Sequence, residues 1–262
     1  MQVIDLSLPI DNNAGWAPWW ARTHVRRQGH GVGRLAMQLV FGVRRQELKT
    51  GMGWANEELQ ISTHGTTHLD APWHYGPVSE GRPAKTIDQI PLEWCYAPGV
   101  KLDLRHKQDG EAITVADVQR AVNGVGYAIR PRDIVLIHTG SDRWWGTPAY
   151  FSRGCGMSAA ATRWLIDQGV KIAGIDSWGW DVPLRRAARS GGTAWEGHFV
   201  GVEREYCHLE RLTNLERLPP FGFTICCFPL RVARGSAGPA RVVALLGTRA
   251  MESAPGQRER PR

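Results

Sequence analysis

Three imidazoles and a carboxylate fall within eleven residues, in the run His64-Gly65-Thr66-Thr67-His68-Leu69-Asp70-Ala71-Pro72-Trp73-His74. Imidazole nitrogen with carboxylate oxygen suits a zinc or manganese ion, and no thiolate lies nearby to suggest a closed structural zinc site. In a straight strand His64 and His68 would stand ~13 Å apart, too far to share an ion through bonds near ~2.1 Å. The chain must therefore bend. Gly65 relaxes the backbone limits and Pro72 stops a long helix, so a single helical turn or tight loop is expected after a strand at Leu59–Ser62. That turn would bring His64 and His68 together with Asp70 close behind.

The elements that must position this cluster are legible as apolar segments of strand length. They are Val3–Leu8, Leu59–Ser62, Val100–Leu104, Ile134–His138, Val170–Ile175, Phe223–Phe228 and Val242–Leu246. Helix signals lie between them. Ser158 can cap a helix that Gly169 ends, and a second helix runs from Thr114 through Val122. Strands mixed with helices at this spacing predict one α/β domain over residues 1–248, with a mixed central β-structure flanked by helices. Residues 15–57 carry Trp16, Trp19 and Trp20 and an amphipathic stretch around Leu35–Leu48. They are read as a lid or an oligomer-contact insertion. Residues 249–262 are rich in arginine and nearly devoid of apolar side chains, and are expected to be a disordered tail.

Composition excludes several function classes. The chain has 262 residues with 42% hydrophobic and 22% charged, an ordinary globular balance, and its apolar runs fall far short of the ~20 residues of a membrane span. The N-terminus shows no basic region followed by an apolar block, so a cytoplasmic, soluble protein is expected. The net charge of +7 comes from arginines spread along the chain, a pattern that does not predict nucleic-acid binding. Five cysteines without CxxC spacing read as buried fillers. Gly154-Cys155-Gly156-Met157-Ser158-Ala159 matches the letters of a dinucleotide fingerprint, but Ala149–Arg153 is a poor candidate for the buried strand that must precede it. No Gly-x-Ser-x-Gly elbow is present, and a Cys-His enzyme on Cys155 or Cys207 would leave the histidine cluster unexplained.

The string His-x-x-x-His-x-Asp-Ala-Pro-x-His resembles the metal-dependent cyclase/hydrolase family, which includes kynurenine formamidases, isatin hydrolases and aromatic polyketide cyclases. The resemblance runs from Ile4-Asp5-Leu6-Ser7 through Asp133–Gly140, Gly174–Ser177 and Pro229–Val232 to the ending at Gly235–Leu246. It implies a swivelling β/β/α fold, a homodimer or homotetramer, and one or two divalent ions, Zn²⁺ or Mn²⁺. It also implies that His64, His68 and Asp70 bind metal together with His198 and Glu210, which match by spacing and by the following Leu212-Thr213-Asn214-Leu215. The last histidine of the motif, His74, takes the catalytic place. Gly65 stands second in the motif, where the family more often has glycine third, so a locally different loop is expected. His208 does not fit the family's ligand spacing and His138 ends an apolar strand, so both read as structural; His24, His30 and His106 have no partner pattern.

Twelve tryptophans are many for this length. Trp73 lies inside the metal motif, and Trp178 and Trp180 follow a strand end where α/β folds carry their sites, so the three are candidate walls of a pocket for a flat substrate. The sequence thus predicts a hydrolase of aryl or cyclic amides acting through metal-bound hydroxide. A cyclase closing an aromatic ring by aldol chemistry would use the same residues. A non-catalytic binding protein with a basic surface is the alternative of another class.

Overall fold

The computed structural model describes residues 1–189 and 194–247, so the tail expected at 249–262 lies outside the described residues. The frame of the molecule is a mixed sheet of nine strands: β1 (Gln2–Asp5), β2 (His68–Asp70), β3 (Tyr96–Asp103), β4 (Ile134–His138), β5 (Ile172–Ile175), β6 (Cys207–Glu210), β7 (Phe221–Cys226), β8 (Ala237–Pro239) and β9 (Val243–Leu246). Their spatial order is β1-β9-β7-β3-β4-β5-β6-β2-β8. The block β3-β4-β5-β6 is parallel, and β2 joins β6 antiparallel, as do the strands at both edges. This is the α/β architecture expected.

Alternation along the strands decides what each face carries, because successive side chains point to opposite sides. On β4, Ile134 and Leu136 enter one hydrophobic core, while Val135 and Ile137 enter another on the opposite face. All five residues of this strand are buried. The second core is covered by α3 (Val115–Val125) and α4 (Ala159–Asp167), with α1 (His30–Phe41) and the short α2 (Pro72–Tyr75) preceding them in the chain. Thr114 caps α3, accepting from the Asp117 amide, and Ser158 caps α4, accepting from the Ala161 amide. Both starts agree with the sequence expectation. A helix, Ala149–Ser152, precedes Gly154, so the glycine run there lacks the strand that a dinucleotide site requires.

The chain divides into two compact units, Met1–Pro9 with Thr63–Arg262, and Ile10–Ser62. The second contains a hairpin of His24–Gln28 with Asn56–Gln60, and α1. The helix expected around Leu35–Leu48 begins earlier and stops at Phe41, because Gly42 takes a left-handed conformation that caps it. The strand expected at Leu59–Ser62 ends at Gln60. Three strands of the large sheet went unforeseen, β2, β6 and β8: His68-Leu69-Asp70 and Cys207-His208-Leu209-Glu210 place polar residues where an apolar run was sought, and Ala237-Gly238-Pro239 has none.

Between the ends of β4 and β5 lies a fully buried carboxylate. Asp176 accepts from the Thr139 amide at 2.8 Å and from the Gly140 amide at 2.6 Å. Burial pushes its pKa up to about 7, outweighing those donors and helped by the nearby Asp142. A carboxyl raised in the folded state keeps its proton where the unfolded chain, with a pKa near ~3.9, has lost it. Stability from this residue is therefore fully present below ~4 and falls as pH rises towards 7. We expect the melting temperature of Asp176→Asn, measured from pH 4 to 7.5, to be the flatter curve. A constant offset from the wild type across that range would show that Asp176 does not titrate there.

Candidate metal centre

Strand alternation builds the site. On β6, Cys207 and Leu209 enter one core, and on β2 Leu69 enters the same core. The residues between them, His208 and Glu210 on β6 with His68 and Asp70 on β2, must emerge from the opposite face. The antiparallel register then sets His208 opposite Asp70 and Glu210 opposite His68. Four polar side chains meet in a patch that is otherwise buried.

His64 reaches the same point from the bend before β2. The residues between the two histidines form a tight loop and no helical turn, and His68 itself already belongs to the strand. The imidazoles of His64 and His68 stand 5.0 Å apart between ring centres. His64 Nδ1 lies 2.8 Å from Asp70 Oδ1, and its Nε2 lies 3.1 Å from the Ser236 hydroxyl. His68 Nε2 lies 3.2 Å from Asp70 Oδ1 and 3.6 Å from Glu210 Oε2. His74 comes from α2, which Pro72 starts at its first turn, and its ring centre is 4.1 Å from that of His64.

His198 arrives from α5 (Glu196–Glu203), and Asp181 positions it. The Asp181 carboxylate accepts from the Gly197 and His198 amides at the start of this helix and also holds His198 Nδ1. An acceptor on Nδ1 leaves Nε2 bare, and this nitrogen lies 3.5 Å from Glu210 Oε1. The Thr66 carbonyl does the same for His68, accepting from Nδ1 at 2.6 Å. His208, read from sequence as structural, is also in the cluster: its Nε2 is 3.0 Å from Asp70 Oδ2 and 3.3 Å from Glu210 Oε1. The signal that could have found it is the i, i+2 spacing from Glu210 in a strand.

These atoms fit a divalent cation better than they fit one another. His68 Nε2, His208 Nε2 and both Asp70 oxygens are buried without a hydrogen-bond partner, although they lie within contact distance. Atoms that converge but do not bond are what a shared cation requires. Two buried carboxylates also need compensating charge. Without a cation, imidazolium would have to join the buried Arg211 guanidinium in supplying it: burial works against charge on His208, yet Asp70 and Glu210 raise it to about 9. Burial likewise opposes ionisation of Glu210, but His208 and His68 bring it down to about 2. Two donor groups share Asp70: Asp70, His198, His208 and Glu210, all buried, and the shallower His64, Asp70 and His74.

The aromatic surroundings differ from expectation. Trp180 is fully buried, stacked on His208 with ring centres 5.1 Å apart, and donates from Nε1 to Thr162 Oγ1. It backs a candidate ligand and offers no face to a substrate, a correction to its reading as a pocket wall. Trp73 has a half-exposed indole, and no ring contact joins it to the site histidines among the described residues. Trp195 is in ring contact with two of them. Held at a left-handed φ of 64°, Trp195 stacks on His198 at 4.5 Å and meets His74 edge-on at 5.3 Å. Trp178 lies under the buried Arg211 guanidinium, 3.7 Å from its ring centre, and Arg211 Nε donates to the Trp178 carbonyl. Neither Trp195 nor Arg211 was singled out in the sequence, since neither stands in a motif.

A cluster of imidazoles and carboxylates that could hold a metal ion sits on this mixed α/β sheet, and comparison with known proteins shows the class to which the chain belongs. Residues 4–182 match the family described as "Putative cyclase", and the chain belongs to that family. A kynurenine formamidase of Bordetella petrii is 29% identical over 71% of this chain and 78% of its own length. An isatin hydrolase of Roseibium aggregatum is 26% identical over 71% of this chain and 73% of its own. Among solved structures, isatin hydrolase A from Ralstonia solanacearum superposes with a TM-score of 0.74 at 24% identity, covering 94% of this chain and 92% of the other. The family match ends before His198, His208 and Glu210; the fold alone brings these three to the motif.

The contacts behind the ligands have a measurable consequence. Asp181→Ala removes the acceptor that fixes His198, so metal affinity should fall about 10- to 100-fold. Competition with a chromophoric chelator measures this, and the far-UV spectrum of the metal-free variant separates it from loss of α5. Unchanged affinity would mean that His198 is not a ligand.

Proposed function

We propose that this chain is a divalent-metal-dependent hydrolase that cleaves the carbonyl–nitrogen bond of an aryl or cyclic amide. The observation that carries the reading is the convergence of His64, His68, Asp70, His198 and Glu210 from separate segments on one buried patch, with His74 at its edge. These five residues would hold one or two ions, and the oxygen and imidazole donor set suits Zn²⁺ or Mn²⁺. A bound ion of this kind lowers the pKa of a coordinated water from 15.7 to about 7 and polarises a carbonyl oxygen.

The protein groups do the rest. Burial, with the charges of His64 and His198, outweighs Asp70 and pushes the His74 pKa down to about 4. His74 is therefore a neutral base at neutral pH, the form that takes a proton from the attacking water and returns it to the leaving nitrogen. Its side chain keeps some exposure, 20%, whereas Asp70 has none. A substrate can thus reach His74 while the carboxylate stays out of water. Trp195, standing over His198 and beside His74, supplies a flat wall, with Trp73 and Trp178 as further walls at its margin. A planar aromatic or cyclic carbonyl compound fits such a surface, in keeping with the two enzymes named above.

The family description supports a second reading with the same site, in which His74 removes a proton next to a ketone and an aldol closure forms an aromatic ring. Product analysis divides the two, because hydrolysis releases an acid and an amine while closure changes the ring count. We further propose that the protein is cytoplasmic and acts on a small molecule, without nucleic acid or membrane, as a homodimer or homotetramer. No described helix is long and apolar enough to cross a membrane. Self-association is supported by Leu39, Val40 and Phe41 on α1, all exposed, and light scattering measures it.

Metal analysis followed by a screen of aryl amides and cyclic imides with Zn²⁺ or Mn²⁺ tests the function. His74→Ala should keep its metal and lose at least ~10²-fold in turnover, whereas Asp70→Ala should lose the metal. The reverse pattern would exchange the two roles. Trp195→Ala should raise KM about 5- to 150-fold, equivalent to ~1–3 kcal/mol of lost stacking and apolar contact, with metal content unchanged. An unchanged KM would remove Trp195 from the substrate's path.

A further inference from the structure

Resting on the metal reading above, we propose that His208 is itself a ligand and closes an inner ion site of four protein donors: Asp70 Oδ2, His198 Nε2, His208 Nε2 and Glu210 Oε1. His208 lies outside the ligand set that the family motif supplies, so this is a property of this chain's own residue. Three observations carry it.

The first is spacing. In a tetrahedral site with bonds near ~2.1 Å, neighbouring ligand atoms stand ~3.4 Å apart. His208 Nε2 is 3.0 Å from Asp70 Oδ2 and 3.3 Å from Glu210 Oε1, and His198 Nε2 is 3.5 Å from the same Glu210 oxygen.

The second is the tautomer. His208 Nδ1 lies 3.2 Å from both the Tyr206 and the Tyr75 hydroxyls. Tyr206 gives its proton to the Gly197 carbonyl at 2.8 Å, and Tyr75 accepts from the His208 amide at 3.1 Å. The Tyr206 oxygen, its own proton already given away, offers an acceptor for Nδ1–H, the tautomer in which the Nε2 lone pair faces the two carboxylates; the Tyr75 hydroxyl keeps a proton beside the same nitrogen, and a cation at Nε2 selects the first arrangement. That is the ligating form of imidazole.

The third is the orphaned state of the atoms. His208 Nε2 and both oxygens of Asp70 are buried and close to one another but not aligned as hydrogen-bonded pairs, so they aim at a common centre more than along one another. The alternation of β6 places His208 and Glu210 on one face, and the register places Asp70 directly across, so the backbone fixes three of the four donors.

The consequence is a division of labour. Four protein donors leave a tetrahedral ion without an open position, which is the pattern of sites that hold structure and charge. The inner donors are almost wholly buried, with side-chain exposures from 0% to 7%. The outer position, by His64 and His68, has a ligand exposed to 23% and lies against His74. Substrate chemistry belongs to the outer position. The inner ion neutralises Asp70 and Glu210 and pins β6, β2 and α5 together.

The test uses the full chain. Wild-type protein is loaded with Zn²⁺, dialysed against a chelator and assayed for retained metal by elemental analysis; Co²⁺-loaded protein is followed by its visible absorption, and melting curves are recorded loaded and metal-free. We expect one ion to resist the chelator in the wild type and in His64→Ala. His208→Leu and His208→Gln should lose that ion, with inner-site affinity lower by more than ~100-fold, beyond the effect of a residue that only orients a ligand. They should also lose the intense tetrahedral cobalt band and most of the melting-temperature gain on loading. The two substitutions, one apolar and one polar, guard against a variant that fails to fold. Wild-type retention reproduced in both His208 variants would overturn the inference while leaving the metal reading intact. Absence of any bound metal in the wild type would overturn both.

Discussion

Asp70 and Glu210 face the same buried point, and neither can be left there as a bare anion. Taking a carboxylate out of water costs several kcal/mol unless a cation or a set of donors replaces the lost hydration. Here the replacements are imidazoles, and they are arranged so that their bare nitrogens point inward. His68 is oriented by the Thr66 carbonyl, His198 by Asp181 and His208 by Tyr206. The requirement for positive charge at that point explains why three separate second contacts are built around it.

The same requirement explains where the site lies on the sheet. β6 is the last strand of the parallel block, and β2 enters beside it antiparallel. In an antiparallel pair, residues stand directly opposite one another, so donors at alternate positions of two strands form a compact square. A parallel neighbour would offset them. The adjoining β4 and β5 are apolar on both faces and supply the rigid wall on which the square rests. Ligands on strands are held more firmly than ligands on loops, and only His64 and His74 stand outside the two strands and α5.

Around this rigid centre the aromatic residues divide by depth. Trp180 stacks on His208 from below and its indole N–H is satisfied by Thr162, so it fills space and excludes water. Trp195 covers His198 from the side where His74 sits, and its left-handed backbone places it there. Arg211, also in a left-handed conformation, buries a guanidinium against Trp178 next to Glu210. Positive-φ backbone at two non-glycine residues beside the site is local strain that the surrounding contacts hold in place. Its effect is to turn one side chain over the imidazoles and another over the neighbouring Trp178 ring.

How much could be read without the structure follows from how each feature is encoded. The motif from His64 to His74 is local: residue types, a glycine and a proline within eleven positions fix the chemistry and demand a bend. Helix caps at Thr114 and Ser158 and the apolar strands at Ile134–His138 and Val243–Leu246 are local as well, and the structure places them as expected. His198 and Glu210 were reachable only through resemblance, because more than a hundred residues separate them from the motif and no periodicity links them. Trp195, Arg211 and the position of His208 were out of reach. His208 looks structural because it lies between Cys207 and Leu209, two core residues; only the pairing of β6 with β2 turns its alternation into a ligand's position opposite Asp70. The sequence by itself determined that a metal-competent cluster exists and which α/β elements surround it, since both are matters of local spacing. Tertiary structure alone decided which distant side chains join that cluster and which tryptophan faces it, since strand register and the hand of a turn are settled by packing across the whole sheet.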